Sequence, residues 1–358
     1  MSRQTKRRKS LLLFATMALS CTSGLAQENN ESQEFLKELS SRIELHGYAQ
    51  AGYTWTHNNG IQTNTFDLKR SLLWAKARIT DRWSFLFMMD FSSEVQEFYT
   101  DYRLSNDKSL TVRLGQFKNA FSLENPLSPT KQELINVYSQ GVTYLSGCGS
   151  DPLFGVNYGR DLGVSLFGSI FNNHLNYEVQ ILQGQGINCR DLNNQKDVIV
   201  RLDYRPIDNL RLVATGQLGR GNAISTSIYN PHIAIGENYE RNRWSIGAEW
   251  KDHISGLDYW KNRPTNLRCE ILNGMDGDVH SFGGYVAASV PIYKTFDVIA
   301  VVDYFDYNRD LKLYQTNTTV GVQHWFYRNC RAQMQYTICD PHNKKSHSTF
   351  QAQIQVAF

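Results

Sequence analysis

Most of the chain alternates apolar and polar residues with a period of two. This is the pattern of β-strands whose two faces meet different surroundings. The first such segment begins at Ile43 and continues to Trp55, and the same alternation recurs around 83–91, 175–181, 198–204 and 244–250. No stretch after residue 26 shows a long helical period, so the sequence predicts an all-β protein.

Three features favour a transmembrane antiparallel β-barrel over a soluble β-sandwich. Many of the alternating segments run for ten or more residues, whereas strands of soluble sheets usually have about 5–6. The chain also ends on a strand, 350–358, with one apolar face, one glutamine-rich face and a terminal Phe358. Aromatic residues lie at the ends of the apolar stripes, as the interfacial girdles of a membrane barrel require. They are Tyr53, Trp55, Trp83, Tyr204, Trp244, Trp250 and Tyr304.

The pattern divides into about sixteen strands, an even number that places both chain ends on the periplasmic side. We therefore expect short periplasmic turns and longer external loops. The long connections are 118–159, 184–195, 220–241 and 340–347, and the connection 253–264 is too long for the periplasmic turn that it should be. The predicted strands are 43–56, 65–79, 82–92, 96–104, 108–117, 160–171, 174–183, 196–205, 209–219, 242–252, 265–273, 280–290, 295–306, 316–327, 329–339 and 348–358.

Residues 1–26 have the form of a cleaved secretory signal. Five basic residues precede the apolar run 11–19, and small residues stand before a cleavage point at Gln27. An apolar run of about nine residues is too short to span a bilayer. Two alternatives remain, a twin-arginine signal at Arg7-Arg8 and a lipoprotein cysteine at Cys21. We expect a short periplasmic segment at 27–42 and the barrel at 43–358, in the bacterial outer membrane.

The net charge and the mean hydropathy exclude some classes of protein. The net charge of +3 includes the signal, whose removal leaves 32 basic against 34 acidic residues and a charge of −2. A basic surface for nucleic acid is therefore not expected. The mean hydropathy of −0.45 and the lack of an apolar run near twenty residues exclude a helical membrane bundle. We find no phosphate-binding glycine loop, and we predict no cofactor and no metal site.

The long connection 118–159 is the first candidate for the functional site. In a wide barrel it can fold into the lumen, where its charged residues Lys118, Glu124, Lys131 and Glu133 would narrow the channel and select ions. Thr130 and Glu133 form a candidate capping box, which predicts a short helix over Lys131 to Val137. The alternative is a flexible surface loop.

The wall is the second candidate. Strand parity points nearly equal numbers of basic and acidic residues inward, which form a transverse field if segregated and a solvated wall of ion pairs if intermingled. The stronger basic cluster is Lys69, Arg70, Lys76 and Arg78. The inward basic residues are Lys76, Arg78, Arg103, Arg113, Arg201, Arg211, Arg243, Lys251, Arg268 and Arg331. The inward acidic residues are Glu44, Asp90, Glu97, Asp101, Asp161, Glu178, Asp197, Asp203, Glu249, Glu270, Asp297 and Asp303.

Five cysteines remain after the signal is removed, so at least one is unpaired. Cys330 and Cys339 lie at opposite ends of one predicted strand, about 30 Å apart, and cannot bond. Cys269 faces outward. Cys148 and Cys189 fall in adjacent external loops and are the candidate disulfide, and five free thiols is the alternative.

Three segments resemble the phosphate-selective porin O and P family. They are 65–73 (TFDLKRSLL), 111–124 (TVRLGQFKNAFSLE) and 159–168 (GRDLGVSLFG), of which the second is the most specific. The resemblance extends over 43–358 and implies a sixteen-stranded, trimeric outer-membrane porin whose third loop enters the lumen. It also implies anion selectivity through inward basic residues, here Arg70, Arg78, Arg113 and Lys118. The near balance of wall charge departs from a strongly anion-selective channel.

We expect passive diffusion of small hydrophilic solutes, including anions and phosphate, with outer-membrane lipid and further copies of the chain as partners. An adhesin or receptor acting through 220–241 and 340–348 is one alternative. A barrel hydrolase is another, for which Ser165, His174 and His324 are available singly without a motif that joins them. An energy-coupled transporter is not expected, because 27–42 leave no room for a plug domain.

Overall fold

The computed structural model describes residues 37, 40–253 and 260–358. The predicted signal at 1–26 lies outside these residues, and in the predicted periplasmic segment only Lys37 and 40–42 are described, all helical. The chain divides into two compact units, 1–44 and 45–358. Within the described residues, no helix has both the length and the apolar character needed to cross a bilayer.

The second unit is a closed antiparallel barrel. Strands that follow one another in sequence pair, except that β9 and β10 both pair with β11, and β17 returns to β1 in a register that runs from Tyr48 opposite Ala357 to His57 opposite Ser348. The strands are β1 (Ile43–Asn58), β2 (Ile61–Arg78), β3 (Trp83–Asp90), β4 (Val95–Arg103), β5 (Thr111–Lys118), β6 (Arg160–Ile170), β7 (Leu175–Leu182), β8 (Asp197–Ile207), β9 (Leu210–Leu218), β10 (Arg220–Asn222), β11 (Asn238–Lys251), β12 (Asn266–Asp276), β13 (Val279–Tyr293), β14 (Phe296–Asp306), β15 (Tyr314–Tyr327), β16 (Cys330–Pro341) and β17 (His347–Ala357).

The predicted count of sixteen wall strands is confirmed. β9 and β10 both pair with β11 and are separated only by Gly219, so β10 continues β9 past a break. Each predicted strand coincides with an observed one to within a few residues at most ends, because alternation and turn residues mark the boundaries independently.

The connections follow the predicted alternation of long and short only in part. The turns at 208–209, 294–295 and 328–329 have two residues each, and the opposite end of the barrel has the long connections 119–159, 183–196 and 223–237. At that same end, however, β1 and β2 are joined by Asn59 and Gly60 alone, whose φ angles of 51° and 82° suit a tight hairpin turn. The connection 252–265 is long for its end of the barrel, as expected.

The two faces of the wall explain the alternation in sequence. On β8, Val198, Val200 and Leu202 are exposed on the outside, while the residues between them, Ile199 and Arg201, are buried on the inside. The outer face is therefore an apolar band around a polar interior, as in barrels that lie in lipid.

The connection 119–159, here called the inner loop, fills part of the lumen. It contains the short helix α1 (Gln140–Leu145), which packs against β12, β13 and β14. Its apolar side chains bury against apolar residues that point inward from the wall, which drives the insertion. The cluster includes Phe121, Val142, Tyr144 and Leu145 from the loop and Leu272, Tyr285, Ile299 and Phe305 from the wall.

The predicted helix over Lys131 to Val137 is wrong. Only a 3₁₀ turn forms, at Pro129–Lys131, where the Ser128 hydroxyl accepts from the Thr130 amide, and Gln132 is already extended. Glu133 does not act as a capping residue, because its carboxylate binds Arg268 and Asn266 of the wall. These wall contacts replace the hydrogen bonds of a helical turn.

Candidate functional site

Arginines of β8, β11 and β12 hold the inner loop in place. Arg201 donates to the Ala120 carbonyl at 3.2 Å and to the Ser122 carbonyl. Such side chains satisfy the backbone oxygens of a loop that has no sheet to pair with. Arg201 therefore acts on the loop, and it is buried away from a solute path.

Arg243 and Arg268 do the same through carboxylates. Arg243 lies 3.2 Å from Asp151 of the loop and 2.7 Å from Asp276 of the wall, and all three side chains are buried. Arg268 donates to Gln132 at 2.7 Å and to Glu133 at 2.9 Å. Buried guanidinium groups of this kind are stable only with such partners.

Glu124 belongs to the interior of the loop. Its carboxylate accepts from the Ser139 amide at 3.0 Å and from the Ser139 hydroxyl at 3.1 Å, which ties the loop entrance to the start of α1. Burial raises the pKa of Glu124 from 4.5 to about 8. Its predicted place at the constriction has no support in this geometry, since it lines none of the three lumenal cavities described below.

Lys118 fixes the part of the loop that borders the open lumen. Its ammonium group donates to the carbonyls of Asn125 at 2.7 Å and Leu127 at 2.8 Å, and lies 3.3 Å from the Tyr138 hydroxyl. Three neutral oxygens surround this group. Lys118 thus shapes the part of the inner loop that borders the constriction.

Two cavities remain between the inner loop and the strands β1–β6. The loop-side cavity has a volume of about 230 Å³ and lies at the end of the long connections. The middle cavity, about 350 Å³, lies on the side of the short turns. Four residues line both cavities and mark the level where they meet, which we call the constriction: Tyr48, Leu72, Pro129 and Arg160.

Three arginines line these two cavities: Arg70, Arg113 and Arg160. Arg160 pairs with Glu97 at 2.8 Å. Arg70, which lines the loop-side cavity, donates to the Gln50 amide oxygen at 3.1 Å and makes no ion pair with any described residue. In the middle cavity, Arg113 pairs with Asp101 at 2.7 Å. Arg70 is therefore an arginine of these cavities that has no carboxylate partner among the described residues.

A third cavity of about 490 Å³, the arginine cavity, lies near the short turns on the other side of the lumen. Leu127, Gln132 and Glu133 of the inner loop line it, together with the predicted residues Lys131, Arg211 and Arg268. Arg211 pairs with Asp203 at 2.6 Å, so much of its charge is compensated. Its other arginines are Arg205, Arg263 and Arg331.

The remaining predicted residues lie apart from the constriction. Lys76 shares a face with Leu86 of the middle cavity, and Arg103 shares one with Asp101, but Lys76, Arg78 and Arg103 line none of the three cavities described above. Cys148 lines the loop-side cavity, and both Cys148 and Cys189 are free thiols, so the candidate disulfide is not formed. On β11 and β12, where the inner loop covers the wall, basic and acidic side chains are intermingled as ion pairs.

Sequence reasoning missed Arg160. Parity along β6 points it outward, because Ser165 faces inward and Arg160 has the opposite parity. Parity fails where the wall joins the inner loop: Lys118 and Arg160 face each other in register, and both turn toward the lumen. The position of Arg160 directly after a long connection is the only signal in the sequence.

The three residues considered for a hydrolase each contact a different partner. Ser165 donates to Glu178 at 2.7 Å, His174 contacts the Arg205 carbonyl at 2.7 Å, and His324 contacts the Thr295 hydroxyl at 3.0 Å. The structure does not bring them together. Among the described residues, no group of three or more His, Cys, Asp or Glu side chains is placed to hold a metal ion.

The chain is similar in fold to solved outer-membrane proteins, although no protein-family model and no curated protein matches it. An anion-selective porin from Comamonas acidovorans aligns at 14% identity and a TM-score of 0.62, over 88% of this chain and 99% of that one. A loop-deletion mutant of OmpT, an outer membrane protein of Vibrio cholerae, aligns at 12% and 0.63 over 88% and 99%. The outer membrane channel DcaP of Acinetobacter baumannii aligns at 11% and 0.59 over 88% and 97%. This chain therefore has the fold of a sixteen-stranded outer-membrane porin.

Proposed function

We propose that the protein is an outer-membrane porin that lets small hydrophilic solutes diffuse passively, with a preference for anions such as phosphate. The observation that carries the proposal is the pair of cavities that meet at the cationic constriction between the inner loop and β1–β6. The apolar outer band supports a position in lipid, and export through the signal at 1–26 would deliver the chain there.

The preference for anions follows from the charges that line the two cavities. Lys69, Arg70, Arg113, Lys118 and Arg160 are basic, whereas Asp90, Glu97 and Glu178 are acidic. Among the residues that line the two cavities, the basic side chains outnumber the acidic ones by two. In a narrow path with low-dielectric walls, such a surplus raises the local concentration of anions.

Assembly as a homotrimer is also proposed. It is implied by the resemblance of three segments to a porin family. One neighbour of similar fold, OmpT of Vibrio cholerae at 10% identity and a TM-score of 0.61, has been solved in a trimer form. Cross-linking of the detergent-extracted protein tests the trimer separately from the channel.

The channel is tested in planar bilayers with a KCl gradient. We expect step-like conductance and a zero-current potential that shows preference for chloride. Arg70→Gln should lower the ratio of anion to cation permeability about threefold, because it removes a charge near the path in a partly desolvated setting. Arg205→Gln is the matched control, since it removes an arginine from the arginine cavity.

The outcomes separate the two parts of the proposal. A folded barrel that gives no conductance would overturn the channel. Conductance with a preference for potassium, or an equal loss of selectivity in Arg70→Gln and Arg205→Gln, would overturn the anion-selective constriction while leaving the channel in place.

A further inference from the structure

The middle cavity has an apolar side that an ordinary water-filled pore lacks. We call the apolar strip the four residues Leu72, Trp74, Leu86 and Met88 on β2 and β3. Their register places them on the inner face of the wall, since Leu72 lies opposite Asp90, Trp74 opposite Met88, and Leu86 opposite Lys76. All four line the middle cavity.

The apolar strip differs from the other apolar residues that point inward. Leu272, Ile299 and Phe305 on the opposite wall are covered by the apolar side chains of the inner loop, and they need no further explanation. The strip is not part of that cluster. It faces the cavity, and apolar surface that lines a solute path in place of a core is informative about the ligand.

Cationic residues lie beside the strip at the same level. The Arg160 guanidinium lies 3.9 Å from the Met88 sulfur, and Arg113 lies 3.8 Å from the centre of the Tyr99 ring. Lys118 lines the same cavity. A solute in the middle cavity thus meets apolar surface on one side, and on the other the guanidinium groups of Arg160 and Arg113 with the carboxylates of Glu97 and Glu178.

This arrangement matches a solute with the same two parts. A carboxylate group would lie toward Arg160 and Arg113, and an apolar body would displace water from Leu86 and Met88, which is favourable in proportion to the apolar area covered. Phosphate and chloride have no apolar part, so they would interact with the basic residues and not with the apolar strip. The cavity volume of about 350 Å³ is within the range of small-molecule sites, about 300–1,000 Å³.

We propose that the middle cavity is a binding site for monovalent organic anions with a compact apolar body, of the aryl carboxylate class. The proposal rests on the proposed function, because the ligand reaches the site along the same path. It adds a substrate class that charge alone does not select: an aryl carboxylate binds in the path, whereas acetate of the same charge passes without being retained.

The test measures block of the chloride current through single channels by benzoate and by acetate. Benzoate should block at a concentration at least tenfold lower than acetate, which corresponds to the burial of part of one ring. Met88→Gln, which keeps the length of the side chain, should raise the half-blocking concentration of benzoate about fivefold and leave that of acetate unaltered. Leu127→Gln is the matched control in the arginine cavity and should keep the benzoate block.

The results are distinguishable from failure of the channel itself. A chloride current with equal block by benzoate and acetate would overturn the organic-anion site and leave the anion channel standing. This comparison uses the wild-type chain and holds even if a variant fails to fold. Equal effects of Met88→Gln and Leu127→Gln on benzoate would also overturn the site, whereas the absence of any current would overturn the proposed function as well.

Discussion

Inward arginines on the two sides of the lumen have different surroundings. On the covered side, β8 and β11–β17, arginines such as Arg201 and Arg243 are buried against loop carbonyls and carboxylates. On the open side, β1–β6, Arg70 donates to an amide oxygen and lines a cavity. An inward arginine of this barrel can therefore contact a solute only where the inner loop leaves it uncovered.

Apolar residues show the same division. The inward Leu272 and Phe305 anchor the loop, whereas Leu86 and Met88 are left beside the cavity. The inner loop is thus held chiefly on one side of the lumen, by a hydrophobic cluster whose wall residues lie mostly on β7, β8 and β12–β14 and by buried ion pairs with β11 and β12. The two cavities lie on the side of β1–β6, which offers the loop fewer such partners.

The largest expected effect tests the anchoring of the loop. Arg243→Met leaves Asp151 and Asp276 buried without their shared cation, and we expect it to lower the free energy of unfolding by about 3–5 kcal/mol. Urea unfolding in detergent micelles measures it. The loop should also become cleavable by protease in the folded barrel.

The matched control is an arginine in an exposed ion pair. Arg220 pairs with Glu240 at 3.1 Å with about half of each side chain exposed, so Arg220→Met should cost less than about 1 kcal/mol. Equal losses in Arg220→Met and Arg243→Met would show that the covered wall does not hold the loop in the way described.

A smaller effect is expected from Glu124 as the pH changes. Because burial raises its pKa from 4.5 to about 8, the folded protein retains a proton between these values that the unfolded chain releases. Stability at this site is therefore lost as the pH rises from about 5 to 8. Glu124→Gln keeps an acceptor for Ser139 and cannot ionise, so its free energy of unfolding should fall less over that range. An unchanged slope would contradict the burial of this carboxyl.

The fold could be predicted from the sequence because a barrel wall repeats one simple pattern. The strand predicted at 43–56 is observed at Ile43–Asn58, and the one predicted at 295–306 at Phe296–Asp306. Period-two alternation also placed Asp90, Glu97 and Asp297 correctly on the inner, buried face. These features depend on local residues, which a linear pattern records.

The site could be predicted only in part, because its geometry depends on contacts between distant residues. No local pattern shows that Glu133 binds Arg268 instead of capping a helix, or that Lys118 binds the carbonyls of Asn125 and Leu127. The inward position of Leu86 and Met88 was visible in the alternation. Their place beside an open cavity depends on which wall the loop covers, and the sequence contains no signal for that.

The division between an open and a covered side is tested most directly by narrowing each side in turn. Ser93 lines the loop-side cavity and Ser289 lines the arginine cavity, so tryptophan at each position adds the same bulk to opposite sides of the lumen. We expect Ser93→Trp to reduce single-channel conductance to about half or less, because ion flow depends on the narrowest section of the path. Ser289→Trp should leave the conductance close to that of the wild type. A larger reduction in Ser289→Trp than in Ser93→Trp would place the path on the other side and contradict the account.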